Sequence, residues 1–141
     1  MAYDMYQEII LNHYRSPRNF GPLPGADRSG EESNPLCGDH ITIRLKFDAT
    51  SQKIAEVRFE GDGCAISMAS ASMLTQKLDG MTLADAGKLT QDDVLKALGI
   101  PLSPVRMKCA LTSFSALGHA LHPELAASHQ SRDPPPARTD G

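Results

Sequence analysis

The sequence predicts an α+β domain in which helices cover one side of a small antiparallel sheet. Three observations carry that reading. Residues 41–47 and 55–60 alternate apolar and polar side chains, the period of a strand with one wet face. The six residues Asp48–Lys53 between them are short enough to close a hairpin. Before and after this pair, apolar residues recur every three or four positions, the period of helices packed by one face.

The first helix is expected over 3–14, where Tyr6, Ile9, Ile10 and His13 form one stripe. Asp4 and Glu8 put negative charge toward its N-terminal end. Pro17 stops it, because proline restricts Ser16 before it and has no N–H to donate. Residues 16–35, rich in Gly, Pro, Asn and Ser, read as a long loop. In the hairpin, Ile41, Ile43, Leu45 and Phe47 face one way, as do Ala55, Val57 and Phe59. On the polar side, Arg44 and Lys46 oppose Glu56 and Glu60, which suits cross-strand pairing. Gly61-Asp-Gly-Cys64 ends the second strand. A helix then runs over 65–79 with Ile66, Ala69, Met73 and Lys77 on one face, and its many Ala and Ser residues permit close packing on the sheet. Gly80 is its stop. Short helices are expected over 82–86 and 90–98, with Thr82 and Thr90 as N-caps and Asp85 and Asp93 three residues on. The last helix spans Pro104 to about 122, where Ala110, Phe114, Leu117 and Leu121 share a face. A single domain over 1–126 is expected, followed by a disordered tail over 127–141 that holds Pro134-Pro-Pro136.

Composition narrows the functions. With 14 basic against 17 acidic side chains, the chain lacks the positive excess of a protein that neutralises nucleic-acid phosphates. No apolar run approaches the ~20 residues of a membrane span. The N-terminus lacks a basic segment leading into an apolar stretch, so secretion is not signalled and a cytoplasmic location is expected. Trp is absent and aromatics are sparse, which disfavours base stacking. Three cysteines cannot close a disulfide framework, so metal or thiol chemistry leads.

Those cysteines occupy three kinds of local structure. Cys37 sits in Asn34-Pro-Leu-Cys-Gly-Asp39 at the end of the loop, Cys64 at the strand-to-helix junction, and Cys109 early in the last helix. No Cys-x-x-Cys pair supports a zinc ribbon or a thioredoxin motif. Three independent buried thiols are the plain alternative. Against it, Gly and Asp around Cys37 and Cys64 mark turns. Cys64 also falls where a helix dipole favours thiolate, and Arg106 and Lys108 put positive charge beside Cys109. Asp39, in an extended chain, points the same way as Cys37. Cys37, Asp39, Cys64 and Cys109 thus offer three sulfurs and one oxygen, a set suited to zinc or iron. A carboxylate grips a soft centre less firmly than a fourth thiolate, which points to a carrier rather than a permanent redox site. His13 lies on the helix stripe and reads as a satisfied core residue. His40 points away from Asp39 on a strand, His119 and His122 suit a helix end, and His129 is in the tail.

At these motifs the sequence resembles the IscU/SufU-type (NifU N-terminal-like) iron–sulfur cluster assembly scaffolds. The likeness covers roughly residues 3–122. It rests on His13-Tyr-Arg-Ser-Pro-Arg-Asn-Phe-Gly21, Asn34-Pro-Leu-Cys-Gly-Asp39, Gly61-Asp-Gly-Cys-Ala-Ile-Ser-Met-Ala-Ser-Ala-Ser72 and Pro104-Val-Arg-Met-Lys-Cys-Ala110, in that order. The resemblance implies an α+β fold with the metal site at one end of the sheet, and a third strand before Cys37 that the residue pattern does not reveal. It implies Cys37, Asp39, Cys64 and Cys109 as ligands of a transient [2Fe–2S] cluster or of Zn²⁺. It implies a cysteine desulfurase (SufS/IscS-type) as sulfur donor, and apo iron–sulfur proteins or carrier proteins as recipients. Lys108 stands where the IscU branch has His, as in the SufU branch. Yet only residues 65–108 separate Cys64 from Cys109, without the SufU insertion. Leu102-Ser-Pro-Val-Arg106 is only similar to the chaperone-recognition segment of the IscU branch.

Three functions compete. A scaffold would build a [2Fe–2S] cluster on the four groups and hand it on, acting as a carrier rather than an enzyme. A zinc-dependent relay would use one cysteine, with Cys37 on its glycine-flanked loop as the candidate, to take persulfide sulfur from the desulfurase; that would be sulfurtransferase-like. A zinc-stabilised interaction module would use the metal only to fold. A hydrolase is disfavoured, because four protein ligands leave no position for water.

Overall fold

A computed structural model describes residues 2–35 and 38–122, with side chains from Gln7 onward. In chain order the elements are α1 (Ala2–Arg15), β1 (Arg28–Asn34), β2 (Asp39–Phe47), β3 (Ile54–Asp62), α2 (Ala65–Leu78), α3 (Leu83–Ala86), α4 (Gln91–Leu98) and α5 (Pro104–Leu121). The strands form one antiparallel sheet in the order β1-β2-β3. Helices pack against it, as expected of the α+β class: α5 lies across β1 and β2, α2 against β3, α1 on α2, and α4 on both α5 and α2. The expected tail, 127–141, lies outside the described residues. None of the described helices is long and apolar enough to cross a membrane.

Alternation does the work in the hairpin. Ile41, Ile43 and Leu45 of β2 and Val57 and Phe59 of β3 are fully buried under the helices. Each such side chain contributes roughly 1.5–3 kcal/mol by leaving water. On the opposite face Arg44 Nη1 meets Glu60 Oε1 at 2.5 Å, and Arg58 pairs with Glu56 of its own strand at 3.2 Å. The expectation fails at Ala55, which is exposed, while Ile54 is buried. The cause is a bulge: Lys46 pairs with Glu56 but Phe47 with Ile54, so Ala55 is the extra residue and the inward face shifts by one. In α1, Ile10 and His13 face the core but Ile9 faces out.

The loop read over 16–35 contains a strand. Residues Arg28–Asn34 pair with β2, Gly30 opposite Ile43 and Asn34 opposite Asp39. This segment, Arg-Ser-Gly-Glu-Glu-Ser-Asn, shows no apolar alternation because its buried position is Gly30. A Cβ there would stand 2.2 Å from the Ala116 carbonyl oxygen and 2.3 Å from the Ala120 nitrogen, so the bare α-carbon lets the α5 backbone rest on the strand.

The helix ends follow the expected chemistry. Thr82 accepts a hydrogen bond from the Asp85 N–H, and Thr90 and Asp93 form a reciprocal capping box. Ser103 caps α5 by accepting from the Arg106 N–H, with Pro104 at the first helical position.

Candidate metal centre

Asp39, Cys64 and Cys109 come from three separate elements. Asp39 opens β2, Cys64 is the N-cap of α2 just past β3, and Cys109 lies in the second turn of α5. One ligand atom from each falls within 4.8 Å of the others. Cys37 lies outside the described residues, so its relation to the three is not described. Asp39 and Cys109 are buried, 2% and 1% exposed, and Cys64 is half-buried. Of these two cysteines, only Cys64 is open to solvent.

The surroundings explain the placement. Asp39 Oδ1 accepts the Cys64 backbone N–H at 3.1 Å, so the carboxylate rather than the Cys64 side chain caps α2. A negative group there is favoured by the helix dipole, and α2 has no acidic residue in its first turn. Gly63 makes the approach possible: a Cβ would meet Asp39 Oδ1 at 2.7 Å. Asp39 Oδ2 is buried and has no hydrogen-bond partner among the described residues. An uncompensated buried carboxylate oxygen is costly. Together with two sulfurs it forms a donor set that suits a zinc or iron ion. Cys109 is backed by an apolar cluster that includes Ile10, Ile66, Ala69 and Leu98. Arg106 and Lys108 are exposed on the first turns of α5.

The histidines lie elsewhere. His40 is on the outer face of the sheet, where Nδ1 meets Ser33 Oγ at 2.7 Å and Nε2 meets Glu31 Oε1 at 3.2 Å. His13 is buried with Nδ1 2.7 Å from Ser72 Oγ, and Ser72 also accepts the Arg18 N–H. Burial, and then the nearby Arg18 charge, push the His13 imidazole below its ordinary value of 6.5. His119 Nε2 meets Glu32 Oε1 at 3.0 Å, an oxygen that also accepts from Ser115. His129 is outside the described residues. In the sequence Gly63 reads only as a turn residue beside Cys64, and Ser67 only as one residue of a motif. Their signal was position alone: one residue before Cys64, and three after it, on the same side of the first helical turn.

The chain matches the family model described as the NifU-like N-terminal domain over residues 5–126. It is 37% identical to the "Iron-sulfur cluster assembly scaffold protein IscU 1" of Archaeoglobus fulgidus over 117 residues, covering 83% of this chain and 74% of that one. It is also 37% identical to the "Zinc-dependent sulfurtransferase SufU" of Bacillus subtilis over 130 residues, covering 80% and 86%. Among solved structures, the SUF-system protein FiSufU of Fervidobacterium islandicum AW-1 superposes with a TM-score of 0.67 at 30% identity, covering 86% of this chain and 99% of that one.

Proposed function

This chain belongs to the family of NifU-like N-terminal domains, and we propose that it works as an iron–sulfur cluster assembly scaffold. In this reading it takes sulfur from a cysteine desulfurase, holds a labile [2Fe–2S] cluster as cargo on Cys37, Asp39, Cys64 and Cys109, and passes it to apo-proteins or carriers in the cytoplasm. The observation that carries the reading is the Asp39 oxygen that is buried beside two sulfurs at the end of the sheet with no hydrogen-bond partner among the described residues. Thiolates supply soft ligands for iron, and the harder carboxylate keeps the centre releasable. Sulfur arrives by exchange. A cysteine thiolate, with Cys37 as the acceptor, attacks the outer sulfur of the desulfurase persulfide; the S–S bond breaks, the desulfurase thiolate leaves, and a persulfide remains on this chain. Arg106 and Lys108 supply positive charge ahead of Cys109.

The test is anaerobic reconstitution with a desulfurase, cysteine and ferrous iron. Visible absorption of a bound cluster is expected, and Asp39→Ala should lengthen its lifetime. An unchanged or shorter lifetime counts against the proposed role of Asp39. A zinc-dependent sulfur relay is the second reading, favoured by the likeness to SufU and by Lys108, which stands beside Cys109 in place of a histidine. Tight zinc with no retained cluster would select it; loss of sulfur transfer in Cys37→Ala is expected of either reading.

A further inference from the structure

Ser67 is fully buried in the first turn of α2, and its hydroxyl oxygen has no hydrogen-bond partner among the described residues. Alanine would be the better helix former at that place, and a buried hydroxyl without a partner is costly. The fold therefore gains nothing from this side chain in the state described. Its position shows what it faces. Ser67 follows Cys64 by three residues, so both project from the same side of the helix. Its Oγ and Asp39 Oδ1 converge on the bare α-carbon of Gly63, where a Cβ would meet them at 2.8 and 2.7 Å. Among the described residues Asp39 Oδ1 accepts one bond, from the Cys64 N–H. A carboxylate oxygen accepts two.

We propose that Ser67 is a positioning residue of the metal centre. When the centre is loaded, its O–H donates to Asp39 Oδ1. That oxygen is then held by the Cys64 N–H and the Ser67 O–H together, and the carboxylate presents Oδ2 to the metal. A ligating carboxylate fixed by such outer hydrogen bonds grips more tightly than a free one, because it cannot rotate away. The inference rests on the metal-binding reading above, with either zinc or iron as the ion.

Ser67→Ala tests it on purified protein with Zn²⁺ and, as a spectroscopic probe, Co²⁺. Zinc affinity is expected to fall about tenfold by competition with a chromophoric chelator. The Co²⁺ d–d bands should shift, because one ligand has changed its orientation. The metal-free variant should unfold at the same temperature as the parent or higher, since an unpaired buried hydroxyl has been removed. Wild-type zinc affinity with an unchanged Co²⁺ spectrum would overturn the proposal. So would a metal-free variant that melts lower, which would make Ser67 a structural residue. A parent protein showing no thiolate-to-cobalt charge transfer would instead strike down the metal-binding reading itself, and Ser67's role with it.

Discussion

A methyl group at Gly63 has nowhere to go. Its carbon would stand 2.7 Å from Asp39 Oδ1, 2.8 Å from Ser67 Oγ and 3.0 Å from Ser67 Cβ, where carbon contacts of about 3.5–4.0 Å are comfortable. In Gly63→Ala the Asp39 carboxylate must turn aside and give up the Cys64 N–H. A hydrogen bond to a charged group is worth about 1.5–3 kcal/mol. Crowding of Ser67, whose Cβ cannot swing away, adds about 1–3 kcal/mol. Alanine returns about 0.4–1 kcal/mol by restricting the unfolded chain. The net loss is roughly 2–5 kcal/mol on these three magnitudes. Urea unfolding of the metal-free protein, followed by circular dichroism, reads it as a lower midpoint at unchanged slope. Gly87→Ala is the control, because a Cβ there meets only Leu83 O at 3.5 Å and Ala84 O at 3.6 Å; its midpoint should hold or rise. In the same preparations zinc affinity of Gly63→Ala should fall about 10–100-fold. A Gly63→Ala midpoint equal to the parent's would refute the reasoning, since it would mean that Asp39 is not pinned against this α-carbon.

Gly30→Ala should be more damaging still, about 3 kcal/mol or more, because the obstacles are backbone atoms of α5 rather than side-chain tips; thermal unfolding would show it. His13 makes stability depend on pH. Its folded value is lowered and its unfolded value is near 6.5, so unfolding takes up a proton below that pH. Stability is therefore full above about pH 6.5 and declines as pH falls from there through the lowered value; His13→Gln should flatten that decline in urea midpoints measured across the range. Thr90→Ala removes one half of the capping box on α4 and should cost about 1 kcal/mol, read by the same unfolding assay, with metal affinity unchanged.

The parts of this fold that alternate or repeat were legible in the sequence, and the parts held by glycine were not. β2 announces itself through Ile41, Ile43 and Leu45 because those side chains fill the core. β1 is silent because its one buried position carries no side chain: the helix backbone occupies the space that a Val or Ile would have claimed. Ala55 was misassigned to the core because a bulge breaks the period of two, and single-strand alternation carries no record of what the partner strand does. At the site, residue chemistry pointed to Asp39, Cys64 and Cys109, and their convergence follows from the fold. The supporting roles of Gly63 and Ser67 are not legible in the sequence. Gly63 acts by lacking a side chain, and Ser67 is one serine among several in α2.

The rest of α5 on β1 has a thermodynamic corollary. Helix α5 carries Cys109, while Asp39 opens the strand paired with β1 and Cys64 stands at the N-cap position of a different helix. No two of these groups are neighbours along the chain, so an ion that grips all three stabilises the assembled arrangement by about 2.7 kcal/mol at a hundred times its dissociation constant. Linkage is reciprocal. Whatever lifts α5 from the strand therefore weakens the grip on the ion by the same factor by which the bound ion resists the lifting.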